Sequence, residues 1–148
     1  MFKLPITFTG FDGKEKTRDF YFNLTKAELA KIHMSLPGGF DGFLERLNDD
    51  PEVEDIVNVF EKIILKSYGK RTIDGKFIKS KELSEEFSAT DAYSELFIKF
   101  LDNEDDFVNK FLEATINVPA GSLQKAIEEG KKDIKAEEIE SIDPSSDF

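Results

Sequence analysis

A change from strand to helix lies within one short stretch of the chain, TRDFYFNLTKAEL, residues 17–29. Apolar and polar residues alternate through residues 20–24, and this two-residue period predicts a half-buried strand. Directly afterwards, Thr25 and Glu28 have the spacing of a capping box, which predicts that a helix begins at Lys26. A strand that passes at once into a capped helix indicates a domain that contains both kinds of structure.

Two Asp-Gly pairs predict β-hairpins on either side of this helix. The alternating residues 4–8 are joined to the strand at 17–24 through Asp12-Gly13, which predicts an N-terminal antiparallel hairpin. A second turn at Asp74-Gly75 predicts a small hairpin near residues 71–78. Because an isolated hairpin is marginally stable in water, we expect the N-terminal one to pack on other elements.

Helical periodicity dominates the remaining chain. The strongest apolar stripe runs through residues 53–68, with a start predicted at Asp50-Pro51 and a stop at Gly69. Weaker stripes predict further helices at residues 26–36, 40–47, 83–101 (a helical pair) and 103–116. The predicted fold class is therefore α+β and predominantly helical, with the N-terminal β-hairpin packed on a bundle of about five or six helices.

The character of the sequence changes after Pro119. Residues 120–148 contain four lysines and eight acidic residues, and their apolar residues are isolated. Gly130 is expected to interrupt any helix in this segment, because glycine is a poor helix former. We therefore predict a single globular domain over residues 1–119 and an acidic C-terminal extension over residues 120–148 that is weakly helical or disordered.

Composition excludes several classes of partner. The 148 residues include 31 acidic and 20 basic side chains, for a formal net charge of −11. Binding to nucleic acid or to an anionic membrane surface needs clustered Lys and Arg, and no basic stripe occurs. The absence of cysteine excludes disulfides, thiolate metal sites and cysteine nucleophiles. No apolar run approaches the roughly 20 residues that span a bilayer.

No set of side chains indicates an enzyme. His33 is the one histidine, and its place beside an apolar stripe favours a structural role over that of a ligand or base. Adjacent acidic pairs such as Glu85 and Glu86 point about 100° apart on a helix, so they favour solvated or capping roles. The glycine-rich residues 37–42 lack the Lys-Ser/Thr of a phosphate-binding loop and predict a turn between helices. We expect no catalytic residue, cofactor or metal.

Phenylalanine is unusually abundant, with 15 residues in a chain without tryptophan. Two interpretations stay open, since the rings can fill a core or can form an apolar ridge or groove for the helices of a partner. The candidate partner-binding residues are Phe97, Phe100, Phe107 and Phe111, followed by Phe40 and Phe43.

Four blocks, in order, resemble the tail assembly chaperones of long-tailed bacteriophages, especially those of Gram-positive hosts. The blocks are DFYFNLTKAEL at 19–29, IILKSYGKR with DGKFIKS within 63–80, FSATDAYSELF at 87–97, and the helix with its closing proline at 107–119. The resemblance covers residues 4–119 and leaves the acidic extension unmatched.

The resemblance implies a non-enzymatic protein that acts in the cytoplasm of the host bacterium. Such proteins bind the tape measure protein, keep it soluble, help to recruit tail tube subunits and are absent from the finished virion. A longer, frameshifted product is usual in the family. The family motif does not mark contact residues, so the six phenylalanines are a hypothesis from the residues themselves, and self-association into an oligomer stays open.

Two other classes of function remain open from the sequence. A tail or connector structural protein of the virion is one, although tube subunits are mostly β-sheet and this chain is mostly helical in its periodicity. An acidic DNA mimic that inhibits a nuclease is the other, and it requires carboxylates spread over one face like phosphates. The 20 basic residues interleaved with the acidic ones weaken that interpretation.

Overall fold

The computed structural model describes residues 1–49 and 53–141 and confirms the predicted fold class. The N-terminal hairpin pairs β1 (Phe2–Thr9) with β2 (Glu15–Phe22) in antiparallel fashion, from Phe2 opposite Phe22 to Thr9 opposite Glu15. The predicted second hairpin is also present, as β3 (Tyr68–Arg71) and β4 (Phe77–Ile78). Strand β2 also pairs with β3, so the two hairpins form one four-stranded sheet in the order β1-β2-β3-β4.

Strand β1 forms one edge of this sheet. The main-chain N–H of Thr9 points away from β2 and donates to the carboxylate of Asp91, at 3.2 Å. Because main-chain groups alternate in direction along a strand, Pro5 lies on the same free side. Proline has no N–H, so an added strand finds no donor at that position. The edge is thereby protected against pairing with a further strand.

Gly69 does not stop a helix as predicted. Helix α3 (Val53–Ser67) ends two residues earlier, and Gly69 lies inside β3. A Cβ at this position would lie 2.5 Å from the ring of Phe77 and 2.6 Å from the carbonyl oxygen of Ile78. Glycine is therefore required for the close approach of β4, and not for a left-handed helix cap.

Seven helices lie in the described residues, and the first six fall within residues 1–119. The predicted start at Asp50-Pro51 lies outside the described residues. The bounds are α1 (Lys26–Ser35), α2 (Gly39–Asp49), α3 (Val53–Ser67), α4 (Lys81–Ser88), α5 (Asp91–Asp102), α6 (Phe107–Thr115) and α7 (Leu123–Ser141), with a 3-10 turn at Glu104–Asp106.

The capping box at the start of α1 is confirmed and is linked to a distant residue. Thr25 Oγ1 accepts the N–H of Glu28 at 3.1 Å, and the Glu28 carboxylate accepts the N–H of Thr25 at 3.0 Å. Lys79, between β4 and α4, donates to both carboxylate oxygens of Glu28 and to the carbonyl of Asn23. The passage from β2 into α1 is thus tied to the second hairpin.

A chain of aromatic rings forms the centre of the core and connects the hairpin to the helices. Phe22 on β2 contacts Phe111 on α6 edge-to-face, with ring centroids 5.2 Å apart. Phe111 contacts Phe100 on α5 at 4.9 Å, and Phe100 contacts Phe60 on α3 at 5.1 Å. Such pairs prefer this geometry because the positive edge of one ring meets the negative face of the next. The hairpin therefore packs on the bundle through ring contacts.

Helix α7 runs without a break through Gly130, so the prediction that this glycine interrupts the helix is wrong. Gly130 is buried, and a Cβ there would clash with the main-chain carbonyl of Lys26 and lie 2.9 Å from the Cβ of Ala30. The residue brings α7 close to α1. Ala126 and Ile127 on the same helix are 2% and 1% exposed and join the core. The domain boundary after residue 119 stays a prediction, and residues 142–148 lie outside the described ranges.

Candidate protein-binding surface

Four of the six predicted partner-binding rings lie in the core. Phe40, Phe43, Phe100 and Phe111 are each at most 2% exposed, which confirms the core interpretation for these four in the isolated chain. Phe43, for example, packs edge-to-face on Phe60 at 5.5 Å. A ring this deeply buried reaches a partner only if its helix moves, so a direct partner contact by these four stays a prediction.

The predicted structural role of His33 is confirmed by its contact with α2. Its Nδ1 accepts the main-chain N–H of Phe40 at 3.2 Å, and the two ring centroids are 5.4 Å apart. This bond satisfies one of the N–H groups at the helix start that have no partner within the helix. Burial, followed by the charge of Lys131, lowers the pKa of His33, while Asp41 and Glu128 act in the opposite direction.

The other two predicted rings are half-buried and keep an accessible side. Phe97 on α5 contacts Phe60 and Tyr93, each with ring centroids 6.0 Å apart. Phe107, at the start of α6, contacts Phe100 at 5.7 Å. Each ring therefore rests on the core along one side while its other side faces outwards.

Helix α5 is apolar on two faces. Its inner face enters the core through three fully buried residues, Ala92, Leu96 and Phe100. Successive residues of a helix are rotated by about 100°, so the opposite side of α5 carries, in turn, Phe97, Leu101 and Ile98. Ile98 is 50% exposed and Leu101 is 46% exposed. We call Phe97, Ile98 and Leu101 the α5 outer stripe.

The sequence interpretation missed part of this stripe. It named Phe97 as a candidate partner-binding residue but neither Ile98 nor Leu101, whereas both of these side chains are exposed. A signal was present, because residues 92, 96 and 100 already form a complete core stripe and apolar residues at 98 and 101 are surplus to it. Exposed apolar residues that adjoin one another are typical of protein-binding surfaces.

An acidic rim adjoins the stripe at the junction of α5 and α6. A cleft of about 230 Å³ is lined there by Phe107 together with Lys99, Asp102, Glu104 and Asp105. The left-handed backbone of Asn103, Asp105 and Asp106, with φ of 45°, 53° and 59°, turns the chain sharply at this point. Such conformations are tolerated best by Asn and Asp among residues other than glycine. The half-buried ring of Phe107 thus lies in a cleft lined by three acidic residues and one lysine, at the end of the helix that carries the α5 outer stripe.

Other exposed apolar side chains lie at the first residue of the chain, at the tips of the hairpins, on β4 and on α1. Phe11, in the turn between β1 and β2, is 91% exposed, and Ile73 occupies the corresponding place between β3 and β4. Met34 on α1 is 53% exposed. Single apolar residues on a surface are ordinary and by themselves indicate no site. Helix α5 differs because its exposed residues continue an aromatic cluster.

Comparison with known protein families identifies the chain. A family model described as a phage tail assembly chaperone matches residues 1–146. The chain belongs to the phage tail assembly chaperone family. This match includes most of the acidic extension, which the sequence resemblance had left unmatched. The comparisons with curated proteins and with solved structures gave no match.

Because the chain belongs to this family, its functional site is expected at the surface of the protein. Chaperones are not a class of enzymes, and a tail assembly chaperone acts through contacts with other proteins of tail assembly. Across residues 1–49 and 53–141, no helix is both long and apolar enough to cross a bilayer. Within these ranges, the α5 outer stripe with its acidic rim is the candidate protein-binding surface.

Proposed function

We propose that this chaperone binds the tape measure protein of its phage in the cytoplasm of the host bacterium. It keeps that long helical protein soluble, helps to bring in tail tube subunits and leaves before the virion is complete. The observation that carries the proposal is the α5 outer stripe, an exposed apolar strip on a helix whose inner face is fully buried.

The stripe fits an amphipathic helix of the client. A helix laid across α5 places its own apolar residues, three and four positions apart, against Ile98 and Leu101. Phe97 and Phe107 contribute the accessible sides of their rings. The buried Phe100 and Phe111 support Phe107 from beneath, and Phe40 and Phe43 act further away by holding α2 in place.

The acidic rim defines the chemistry of the client helix more closely. Carboxylates of Asp102, Glu104 and Asp105 adjoin the stripe, so the client is expected to carry Lys or Arg beside its apolar residues. These charges lie at the surface, so their contribution falls as the salt concentration rises.

The proposed affinity per site is modest, and this suits a temporary complex. Burial of a leucine or isoleucine side chain contributes about 1.5–3 kcal/mol, against several kcal/mol for the loss of free motion on association. Several chaperone copies along one client raise the overall affinity through avidity. Tube subunits can then displace individual copies from the client.

The central test is co-expression of the tape measure protein with variants of the chaperone. Leu101→Asp combined with Ile98→Asp places charges on the stripe while leaving the buried face of α5 unchanged. Met34→Asp is the matched control, since it changes an equally exposed apolar residue on α1. The soluble fraction of the client is measured by quantitative immunoblot of the cleared lysate.

We expect the double variant to lower the soluble client to the level found without chaperone, while Met34→Asp retains it. Circular dichroism and thermal unfolding of the purified variants establish that both remain folded. Equal client solubility with the double variant and with the wild type would contradict the role of the stripe. Phe100→Asp is unsuitable as a probe of the surface, because a charge at a fully buried ring unfolds the protein.

Two further measurements test the remaining parts of the proposal. In mass spectrometry of purified virions, we expect peptides of the tape measure protein and none of the chaperone, whereas a stoichiometric amount of chaperone would favour a structural protein. In a pull-down, we expect purified tail tube protein to bind the client–chaperone complex. We expect no such binding with the double variant, because its client is insoluble.

A further inference from the structure

A cleft lies beside the tip of the N-terminal hairpin. It has a volume of about 350 Å³, and its walls are the end of β1 and the junction of α4 with α5. A cavity of roughly 150 Å³ accommodates benzene, so this cleft has room for the ring of a phenylalanine. We call it the tip cleft, and its lining includes Phe8, Gly10, Ala89, Thr90 and Ser94.

Two hydroxyl groups that line the tip cleft already have partners within the chain. The hydroxyl of Ser88 donates to the main-chain carbonyl of Glu85 at 2.7 Å, and the hydroxyl of Thr90 donates to that of Phe87 at 2.7 Å. An apolar group that enters the cleft therefore costs neither hydroxyl its hydrogen bond. The cleft is suited to an apolar occupant.

Phe11 carries a ring of this size at the edge of the cleft but leaves the cleft open. Its side chain is 91% exposed. Main-chain bonds fix the turn that carries it, since Gly13 N–H donates to the carbonyl of Gly10 at 2.9 Å and Gly10 N–H donates to that of Lys14 at 2.8 Å. A rigid turn loses little conformational freedom on binding, so the ring is held ready for contact.

A ring and a cleft that lie side by side on one surface are self-complementary. A two-fold axis between them places the ring of each copy in the cleft of the other, which is the isologous arrangement of a symmetric dimer.

The charges around the ring and the cleft favour the same arrangement. Residues 10–18 at the hairpin tip contain three basic and two acidic residues. Residues 82–95, which include the α4–α5 wall of the cleft, contain five acidic residues and no basic one. The tip of a second copy therefore meets a wall of opposite charge, whereas most other surfaces of this acidic chain are repelled by it.

We propose that the tip cleft binds Phe11 of a second copy, so that the chaperone forms a weak two-fold dimer. The dimer forms without the tape measure protein. A contact between two hairpin tips is smaller than a standard protein interface, and each chain carries a net charge of −11, so association is weak. Copies that lie side by side on one client reach the local concentration that favours it.

Sedimentation velocity of the purified full-length chaperone over a series of concentrations tests the dimer. Phe11→Ser removes the ring, and Ile73→Ser is the matched control because Ile73 is likewise exposed at the tip of the second hairpin. We expect a monomer–dimer equilibrium for the wild type and for Ile73→Ser, and an association constant at least tenfold lower for Phe11→Ser. Circular dichroism establishes that the variants keep the wild-type fold.

A second variant pair tests the cleft itself. Ser94→Phe places a ring in the tip cleft from an exposed position of α5, and Met34→Phe adds the same ring on α1. We expect Ser94→Phe to weaken the dimer at least tenfold and Met34→Phe to leave it unchanged. Unchanged association of Ser94→Phe would show that the ring of Phe11 binds elsewhere.

A third pair tests the charges. Lys14→Glu and Lys31→Glu change the net charge equally, and both lysines are exposed. We expect Lys14→Glu to weaken the dimer more, because Lys14 lies at the tip that meets the acidic wall. Equal effects would contradict the docking of the tip against α4 and α5.

A wild-type chaperone that stays monomeric at every concentration would overturn the proposal, as would equal association of the wild type and Phe11→Ser. Assemblies that grow beyond the dimer would indicate a head-to-tail contact and exclude the two-fold arrangement. If the wild type is monomeric and Phe11→Ser lowers the soluble fraction of the co-expressed tape measure protein, the hairpin tip binds the client and not a second copy. If the chaperone dimerises through Phe11 but leaves the client insoluble, the proposed function fails while the dimer stands.

Discussion

Lys79 donates to both carboxylate oxygens of Glu28, at 2.7 and 2.8 Å, across 51 residues of sequence. Glu28 is also the residue that completes the capping box of α1 with Thr25. One carboxylate therefore joins the start of the first helix to the end of the second hairpin. The pair is about 30% exposed, so solvent weakens it only in part.

Removal of the Lys79 ammonium group is expected to destabilise the fold. Lys79→Met keeps most of the aliphatic stem and should lower the free energy of unfolding by about 1–2 kcal/mol, since charged hydrogen bonds to Glu28 and Asn23 are lost. Urea unfolding followed by circular dichroism measures the change. Lys81→Met is the control, because Lys81 is 90% exposed and its nearest carboxylate oxygen is 4.0 Å away. Equal midpoints for the two variants would contradict the structural role of the Lys79 pair.

The contribution of this pair is expected to disappear in acid. Burial alone would raise the pKa of Glu28, but hydrogen bonds from Lys79 and Thr25 outweigh it and hold the pKa below 4.5, its ordinary value. A carboxyl group with a lowered pKa in the folded state stabilises the protein above its unfolded pKa, and this stabilisation is lost as the pH falls through the folded pKa. The difference in unfolding free energy between wild type and Lys79→Met should therefore be constant above about pH 5 and shrink towards pH 3. A difference that shows no decrease at any pH below 4.5 would be inconsistent with a charged pair.

His33 gives the chaperone a second pH dependence, near neutrality. Its pKa is lowered from 6.5, first by burial and then by Lys131, against the opposing charges of Asp41 and Glu128. A lowered pKa favours the neutral ring in the folded state, so the stabilisation is complete above pH 6.5 and is lost as the pH falls through the folded pKa. Unfolding midpoints of the wild type should fall between pH 7.5 and 5.5, and those of His33→Gln should fall less.

The single histidine also allows a direct check of this shift. An NMR titration of the imidazole protons should give a pKa below 6.5 in the folded chaperone. A measured value at or above 6.5 would show that burial and the charge of Lys131 do not keep the ring neutral.

Neighbouring positions on α5 are expected to respond very differently to truncation. Phe100 is 0% exposed and contacts Phe60, Phe107 and Phe111, so Phe100→Ala should lower the unfolding free energy by about 3–5 kcal/mol. Leu101→Ala removes a side chain that is 46% exposed and should cost less than about 1 kcal/mol. Urea unfolding measures both variants. Similar losses at the two positions would contradict the division of α5 into an inner face and an outer stripe.

Local patterns predicted the parts of the fold that depend on local chemistry. Asp12-Gly13 and Asp74-Gly75 indicated the two hairpins because their turns need residues that tolerate unusual backbone angles. The Thr25–Glu28 spacing indicated the start of α1 because a capping box is completed within one turn. Apolar periodicity together with these helix signals predicted a bundle of about five or six helices, and six lie in the described part of residues 1–119.

The same patterns could not show which apolar residues meet a neighbour. Phe100 and Leu101 look alike in a helical stripe, and only the packing of α3 and α6 covers one and leaves the other exposed. The candidate surface was therefore predicted in part, through Phe97 and Phe107, while Ile98 and Leu101 were missed. The acidic residues of the rim are evident in the sequence. Their closeness to Phe107, however, depends on the left-handed turn at 103–106.

The sequence by itself determined the elements, the turns and the helix caps of this chaperone, because each is decided by residues a few positions apart. Only the tertiary structure decided what Gly69 and Gly130 do. Both looked like helix terminators, yet one lies in a strand beneath Phe77 and the other faces the backbone of Lys26. The physical reason is that the role of such a glycine cannot be predicted from its neighbours in the sequence. It depends on which distant backbone or ring occupies the space beside the glycine.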